Sequence, residues 1–411
     1  MSEVRILPST LQGRVAVPVS KSAAHRALIC SALAGDEISL QSGETVSDDL
    51  AATQKALAAL LPAHGGPVTL DCRESGSTLR FLIPVAAALG TEATFTGRGR
   101  LPERPLGVYL GCLPRHGVSC RTQGGLPLTV RGKLQPGRYE VPGSVSSQFA
   151  TGLLLALPLL DGDSRIRLTS PLESAAYADM TVQILHSFGV RAEKTAEGWN
   201  VPGNQRYRPN PAYQIERDWS QAAFFLAAGM LGGPVELEGL SPGFSQGDRK
   251  AEELFRRLGA KIEWNRGLLS VEAGRIPETI PEIDASQIPD LVPALAAAAA
   301  LIPGRRTVIS HAARLRLKES DRLSAMAQGL NRLGGRVHEK PDGLEIFGVD
   351  HLRGGKADGC NDHRVVMALS VAALRSAGET VLTDAQSVRK SYPDFFLDYN
   401  RLGGKAYAVG Q

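Results

Sequence analysis

Leu254, Phe255 and Leu258 fall on one face of a helix, as do Met326, Leu330 and Leu333, and each set runs into a glycine. The same phrase recurs: an apolar helix end, a Gly, a short strand, a turn, a second strand and another Gly. His116-Gly117-Val118 leads to Leu128-Thr129-Val130-Arg131-Gly132, and Phe188-Gly189-Val190 leads to Asn200-Val201-Pro202-Gly203. Leu258-Gly259-Ala260-Lys261 leads to Ser270-Val271-Glu272-Ala273-Gly274, and Leu333-Gly334-Gly335-Arg336 to Glu345-Ile346-Phe347-Gly348. Leu402-Gly403-Gly404-Lys405 closes the series, and a shortened copy stands around His64-Gly65-Gly66.

The first glycines lie at 117, 189, 259, 334 and 403, so the spacings are 72, 70, 75 and 69. Glycine stops a helix in a left-handed cap without strain, which explains its place in the phrase. At roughly 70 residues each, the 411 residues hold six α/β units, too large for a solenoid. The pattern predicts two similar domains of three units, joined near Gln214–Asp218.

Composition narrows the class. Forty-six Lys+Arg against 42 Asp+Glu gives +4, and only 5% of residues are aromatic. That balance argues against a nucleic-acid-coating protein or a base-stacking platform. Residues 1–13 carry Glu3 and Arg5 and no long apolar stretch, so no signal peptide is expected. The longest apolar runs, 149–160 and 291–304, contain Pro and fall short of the ~20 residues of a membrane span. Five cysteines without a C-x-x-C pair predict neither a disulfide framework nor a thiolate metal site. A cytoplasmic protein is expected.

Three segments of the first half place hydroxyls and small residues where an apolar helix opens: Ser20-Lys21-Ser22, with Arg26 one turn on; Glu74-Ser75-Gly76-Ser77; and Gly143-Ser144-Val145-Ser146-Ser147-Gln148. Helix N-termini of this kind suit phosphates and carboxylates, although plain capping explains any one of them. The second half carries charge in Arg314–Arg322, Asn361-Asp362-His363-Arg364 and Arg389-Lys390. Spacing predicts Lys318 and Arg322 four apart on one helical face, with Glu319 beside them. Asp290 precedes an Ala-rich run and, taken alone, reads as a helix-start residue before a functional one. No G-x-G-x-x-G, G-x-S-x-G or H-x-x-x-H signature is present.

Taken in order, S-K-S-x-x-x-R, S-G-S-T-x-R, P-E-R-P, V-S-S-Q-F, L-K-E-S-D-R-L, N-D-H-R and R-K-S-Y-P-D-F resemble the enolpyruvyltransferases that act on shikimate-3-phosphate, over nearly the whole chain. The resemblance implies an α/β fold of the inside-out α/β barrel type. It assigns residues 16–215 to one domain and residues 1–15 with 216–411 to the other, with ligands held between them. It also implies transfer of the enolpyruvyl group of phosphoenolpyruvate to the 5-hydroxyl of shikimate-3-phosphate, without metal or other cofactor. Glyphosate is the implied inhibitor, and a monomer is expected.

By motif, Lys21, Asp290 and Glu319 take the catalytic roles. Shikimate-3-phosphate falls to Lys21, Ser22, Arg26, Ser146, Ser147, Gln148, Ser174, Tyr177, Asp290 and Lys318. Phosphoenolpyruvate falls to Lys21, Gly76, Arg104, Gln148, Arg322, His363, Arg364 and Lys390. Seven of these are cations other than histidine, and Asp290 with Glu319 leaves about +5, against a substrate pair near −6. The chain departs from the family pattern in a short stretch between Leu50 and Arg73, in Arg314 and Glu74 where Asn is usual, and in the bulky Asp218-Trp219-Ser220-Gln221. Gly76 is expected to leave room for glyphosate. A related family acting on UDP-N-acetylglucosamine carries a reactive Cys where this chain has Gly97–Pro105, and a non-catalytic anion binder would need no Asp290–Glu319 pair.

Overall fold

The computed structural model describes residues 3–36, 45–63, 66–241, 243 and 246–409. His64 and Gly65 of the shortened copy lie outside them. Backbone contacts divide the chain into two compact units, residues 1–19 with 216–411 and residues 20–215. The first unit extends through Val19 rather than ending at 15. The strand Gly13–Ala16 pairs in parallel with Val235–Glu238, and Val19 bridges Arg217, which holds this stretch in that unit.

The 20–215 unit contains helices α1 (Lys21–Leu33), α2 (Asp48–Leu60), α3 (Gly76–Ala88), α4 (Gly107–Cys112), α5 (Ser147–Ala156) and α6 (Ala175–Ser187). Two four-stranded sheets accompany them. In one, Arg138–Pro142 runs parallel to Ser164–Ser170, which pairs antiparallel with Gly198–Val201, edged in turn by Glu193–Thr195. The register sets Trp199 opposite Ile166, both buried. The sheet of Val68–Asp71, Ala93–Thr96, Leu128–Arg131 and Ser119–Thr122 repeats that topology. Among the described residues, the stretch holding α1 and α2 has no sheet of its own, which is where the sequence is short.

The other unit contains α7 (Trp219–Leu231), α8 (Ala251–Leu258), α9 (Val292–Ala299), α10 (Arg322–Arg332), α11 (His363–Ala372) and α12 (Phe395–Arg401). Its three sheets have the same parallel-antiparallel-antiparallel order. All five recurring glycines are left-handed, with φ of +83° at Gly117, +75° at Gly189, +107° at Gly259, +103° at Gly334 and +99° at Gly403. A residue with a Cβ is strained there, so glycine marks each helix-to-hairpin turn.

Each unit is built around three apolar helices. Every residue of α7, α9 and α11 is buried. Outer α8 instead buries Leu254, Phe255 and Leu258 and leaves its arginines half in solvent. In the 20–215 unit, α3 carries Pro84 in its interior, and Pro84 lacks the N–H that the Arg80 carbonyl would accept. Tyr109 donates its hydroxyl to that carbonyl instead, at 2.7 Å. Gly152 lets α5 approach the same point, since a Cβ there would lie 2.4 Å from the Arg80 oxygen. The device holds Arg80 rigidly one turn from the α3 N-terminus.

Candidate active site

Three helix N-termini carry most of the predicted residues of the 20–215 unit; Ser174 and Tyr177 stand at the start of α6, and Arg104 follows the turn Leu101–Glu103. Ser20, Ser75 and Ser146 cap α1, α3 and α5 by accepting from backbone N–H groups, each cap contributing ~1 kcal/mol. Lys21 donates to Asp49 Oδ2 at 2.6 Å, and both side chains are largely buried. Arg26 is buried beneath Ser22. It reaches the Ser22 carbonyl (2.6 Å), Thr181 Oγ1 (2.8 Å), the Tyr177 carbonyl (3.0 Å) and Thr151 Oγ1 (3.2 Å). Burial lowers it to about 10. Arg26 thereby ties α1 to α5 and α6 and sets the position of Ser22 and Tyr177.

Gln148 donates to Ser77 Oγ at 3.0 Å and accepts from Arg80 Nη1 at 2.7 Å, so its amide is oriented from two sides. Ser147 is buried in the first turn of α5, and Ser174 is a buried left-handed residue (φ 55°) at the start of α6. Gly76 does not face open space, as the sequence suggested. A Cβ built there would lie 2.6 Å from Arg104 Nη1, so the Arg104 guanidinium fills the room that glycine leaves. The Glu74 carboxylate lies beside Gly99, where a Cβ would meet Oε2 at 2.5 Å.

In the other unit, Arg322 is 2% exposed and reaches three carboxylates. Its Nε donates to Asp362 Oδ2 at 2.8 Å, Nη1 to Asp290 Oδ1 at 2.9 Å and Nη2 to Glu319 Oε2 at 2.7 Å. Arg364 takes the other Asp290 oxygen at 3.0 Å and its carbonyl at 3.1 Å, while Lys318 Nζ lies 3.6 Å from Asp290 Oδ1. Burial alone would raise Asp290, but Arg364, Lys318 and Arg322 hold its carboxyl well below the usual range. Burial would likewise lower Arg322, and Asp362, Glu319 and Asp290 raise it instead. Asp290 does not cap α9, whose N-cap is Leu291, so the helix-start reading fails.

Lys318 and Glu319 are not helical: Asp321 caps α10 by accepting from Ser324, and the helix begins at Arg322. Lys318 is extended after a short 3-10 turn, and it meets Arg322 through their shared partner Asp290. Arg314, in that turn, donates to the Ser286 carbonyl. His363 is buried in the first turn of α11, its Nδ1 3.9 Å from Asp362 Oδ1. Lys390 donates to the Asn361 carbonyl at 2.5 Å. Cys360 and Asn361 are consecutive left-handed residues, φ 52° and 48°. Such strain persists only where the surroundings impose it. Here Asp384 accepts from the Asn361 N–H at 2.9 Å.

Sequence reasoning missed three residues. Arg80 and Asp362 stand inside quoted motifs, and Asp49 had only a helix-start signal. Counting Arg80, Asp49 and Asp362 changes the summed charge of the named groups from about +5 to about +4.

Both clusters set cations against carboxylates, and relatives show the family. A model of EPSP synthase (3-phosphoshikimate 1-carboxyvinyltransferase) matches residues 7–398. The chain belongs to the EPSP synthase family. The 3-phosphoshikimate 1-carboxyvinyltransferase of Clostridium kluyveri is 43% identical, with all of both chains covered. That of Clostridium novyi is 40% identical over 98% of each. Among solved structures, the EPSP synthase of Acinetobacter baumannii superposes with a TM-score of 0.78 at 25% identity, covering 99% of this chain and all of that one. The enolpyruvyl transferase NikO of Streptomyces tendae shares the fold, with a TM-score of 0.74 at 18% identity over 99% of each chain. The two-domain, repeated α/β architecture is therefore that of EPSP synthases. Among the described residues, no helix is long and apolar enough to cross a membrane.

Proposed function

We propose that the protein transfers the enolpyruvyl group of phosphoenolpyruvate to the 5-hydroxyl of shikimate-3-phosphate and releases phosphate, a step of the shikimate pathway toward aromatic amino acids. The observation that carries this reading is Arg322 bonding Asp290, Glu319 and Asp362 at once, with Lys318 and Arg364 against Asp290. Cations fixed by carboxylates form a preorganised cradle for anions, and the same carboxylates face the groups that exchange protons.

In the addition step, O5 of shikimate-3-phosphate bonds to C2 of phosphoenolpyruvate, O5 loses its proton and C3 gains one. In the elimination step, the C2–O bond to phosphate breaks and C3 gives its proton back. Asp290, held ionised, orients the 5-hydroxyl and takes its proton as O5 bonds to C2, and that proton leaves with the departing phosphate. Glu319 exchanges the proton at C3, and Lys21 meets the charge of the departing phosphate. Ser22, Ser146, Ser147, Ser174, Gln148, Tyr177 and Lys318 take shikimate-3-phosphate, with Arg26 supporting from beneath. Gly76, Arg104, Gln148, Arg322, His363, Arg364 and Lys390 take phosphoenolpyruvate. Net charge near +4 does not neutralise a pair near −6. The N-termini of α1, α3 and α5, each worth about half a charge, supply part of the difference.

The chemistry calls for neither metal nor nucleotide. The same reading takes the enzyme as a cytoplasmic monomer inhibited by glyphosate. Purified protein mixed with both substrates in chelator-treated buffer is expected to release phosphate only when both are present. Release with UDP-N-acetylglucosamine in place of shikimate-3-phosphate, or none with either, would overturn the assignment.

A further inference from the structure

On the 20–215 unit, away from the helix N-termini that carry Lys21, Gly76 and Gln148, a cavity of about 1380 Å³ opens between the turn after α6 and the segment 202–209. Arg191, Arg206 and Arg208 line it and are exposed. None of their guanidinium groups makes a hydrogen bond or ion pair among the described residues. Neighbouring surface cations do: Lys194 pairs with Asp179 at 2.6 Å, and Arg165 with Glu197 at 3.1 Å. Glu193 is the one carboxylate lining the cavity, so three unpaired arginines outweigh it.

The walls are held in place. Gln205 accepts from the Arg191 N–H at 2.7 Å and donates to the Arg191 carbonyl at 2.8 Å and the Pro202 carbonyl at 2.7 Å, clamping one wall to the other. Arg208 donates its backbone N–H to Phe188 at 2.8 Å, and its stem lies against the left-handed Gly189, where a Cβ would meet Cδ at 2.9 Å. Tyr207 is buried, its hydroxyl 2.6 Å from the Leu155 carbonyl, which leaves the His186 imidazole as the exposed ring among the lining residues.

We infer that this cavity binds a small polyanion carrying several phosphate groups. Guanidinium forks match phosphate oxygens two at a time, and three of them without internal partners suit several phosphates rather than one. The cavity also exceeds the ~300–1,000 Å³ of an ordinary small-molecule pocket, ample for a short polyphosphate. Three arginines against a single exposed ring, His186, favour polyphosphate over single-stranded nucleic acid, which needs successive stacking surfaces.

Tripolyphosphate is the probe. Hydrogen exchange of the full chain in its presence is expected to slow in segments 189–194 and 203–208. The apparent affinity read there should weaken at least about tenfold in the triple variant Arg191→Gln/Arg206→Gln/Arg208→Gln, equivalent to ~1.4 kcal/mol. The variant's melting temperature should stay at the wild-type value, because the three heads have no internal partners. No slowing in these segments, or slowing that survives in the variant, would overturn the inference. So would protection by an oligonucleotide without protection by tripolyphosphate.

Discussion

Arg322 donates its Nε–H to Asp362 Oδ2 at 2.8 Å, and the side chains are 2% and 0% exposed. Asp362 also caps α11 through the Arg364 N–H and accepts from Ser320 Oγ at 3.0 Å. One carboxylate therefore fixes the orientation of two cations of the candidate site. Removing one partner of a buried ion pair leaves the other charge without compensation, which costs ~3–5 kcal/mol. Asp362→Ala is expected to lower stability by about that amount and to abolish turnover. The shift of the urea midpoint checks the first part; a loss below ~1 kcal/mol would show that the pair does not hold this region together.

Asp290 is surrounded by Arg322, Arg364 and Lys318, all competing for its two oxygens. The amide of Asp290→Asn keeps the shape and removes the charge. Turnover should fall about 10²–10⁴-fold, the range of a lost acid–base or orienting group. Shikimate-3-phosphate binding, followed by calorimetry, should change less than turnover. A variant with wild-type phosphate release would remove Asp290 from the mechanism.

The repeating frame was readable because it depends on backbone chemistry. A left-handed cap demands glycine, so five turns announced themselves at Gly117, Gly189, Gly259, Gly334 and Gly403. The helix openings were readable for the same reason, through Ser20, Ser75 and Ser146. Side-chain pairing was not. Asp49 and Asp362 meet their cations across 28 and 40 residues of chain, and nothing local marks such a contact. The spacing of Lys318 and Arg322 suggested one helical face, but the Asp321 cap delays the helix, and Lys318 reaches Asp290 from an extended residue. Gly76 was read as space because a sequence does not show which side chain fills it.

Burial pushes the Lys318 ammonium down to about 8 from the ordinary 10.5, although Asp290 at 3.6 Å pulls the other way. Lys318 is charged below that value and neutral above it. Shikimate-3-phosphate binding should therefore weaken as pH rises through 8, a range in which the phosphate itself no longer titrates. Stability moves oppositely. Between about 8 and 10.5 the unfolded chain holds the proton that the folded chain has released, so this lysine's contribution to stability rises with pH across that window. Titrations at pH 7 and 9.5 should separate wild type from Lys318→Met, whose affinity changes less. Equal pH dependence in both proteins would remove Lys318 from substrate binding.

A methyl group at Gly76 would meet Arg104 Nη1 at 2.6 Å and Cζ at 2.8 Å. Both atoms belong to the far end of a long side chain rather than to backbone, so the guanidinium gives way and α3 stays. Alanine also suits a helix better than glycine by ~0.5–1 kcal/mol, so Gly76→Ala should melt no lower than wild type. The cost falls on whatever Arg104 holds. The KM for phosphoenolpyruvate should rise about tenfold, ~1.4 kcal/mol, with kcat reduced less, and the inhibition constant of glyphosate should rise in the same direction. Steady-state kinetics at saturating shikimate-3-phosphate read all three. An unchanged KM would mean that Arg104 does not contact phosphoenolpyruvate. A lowered melting temperature would mean instead that the methyl group disturbs α3 itself.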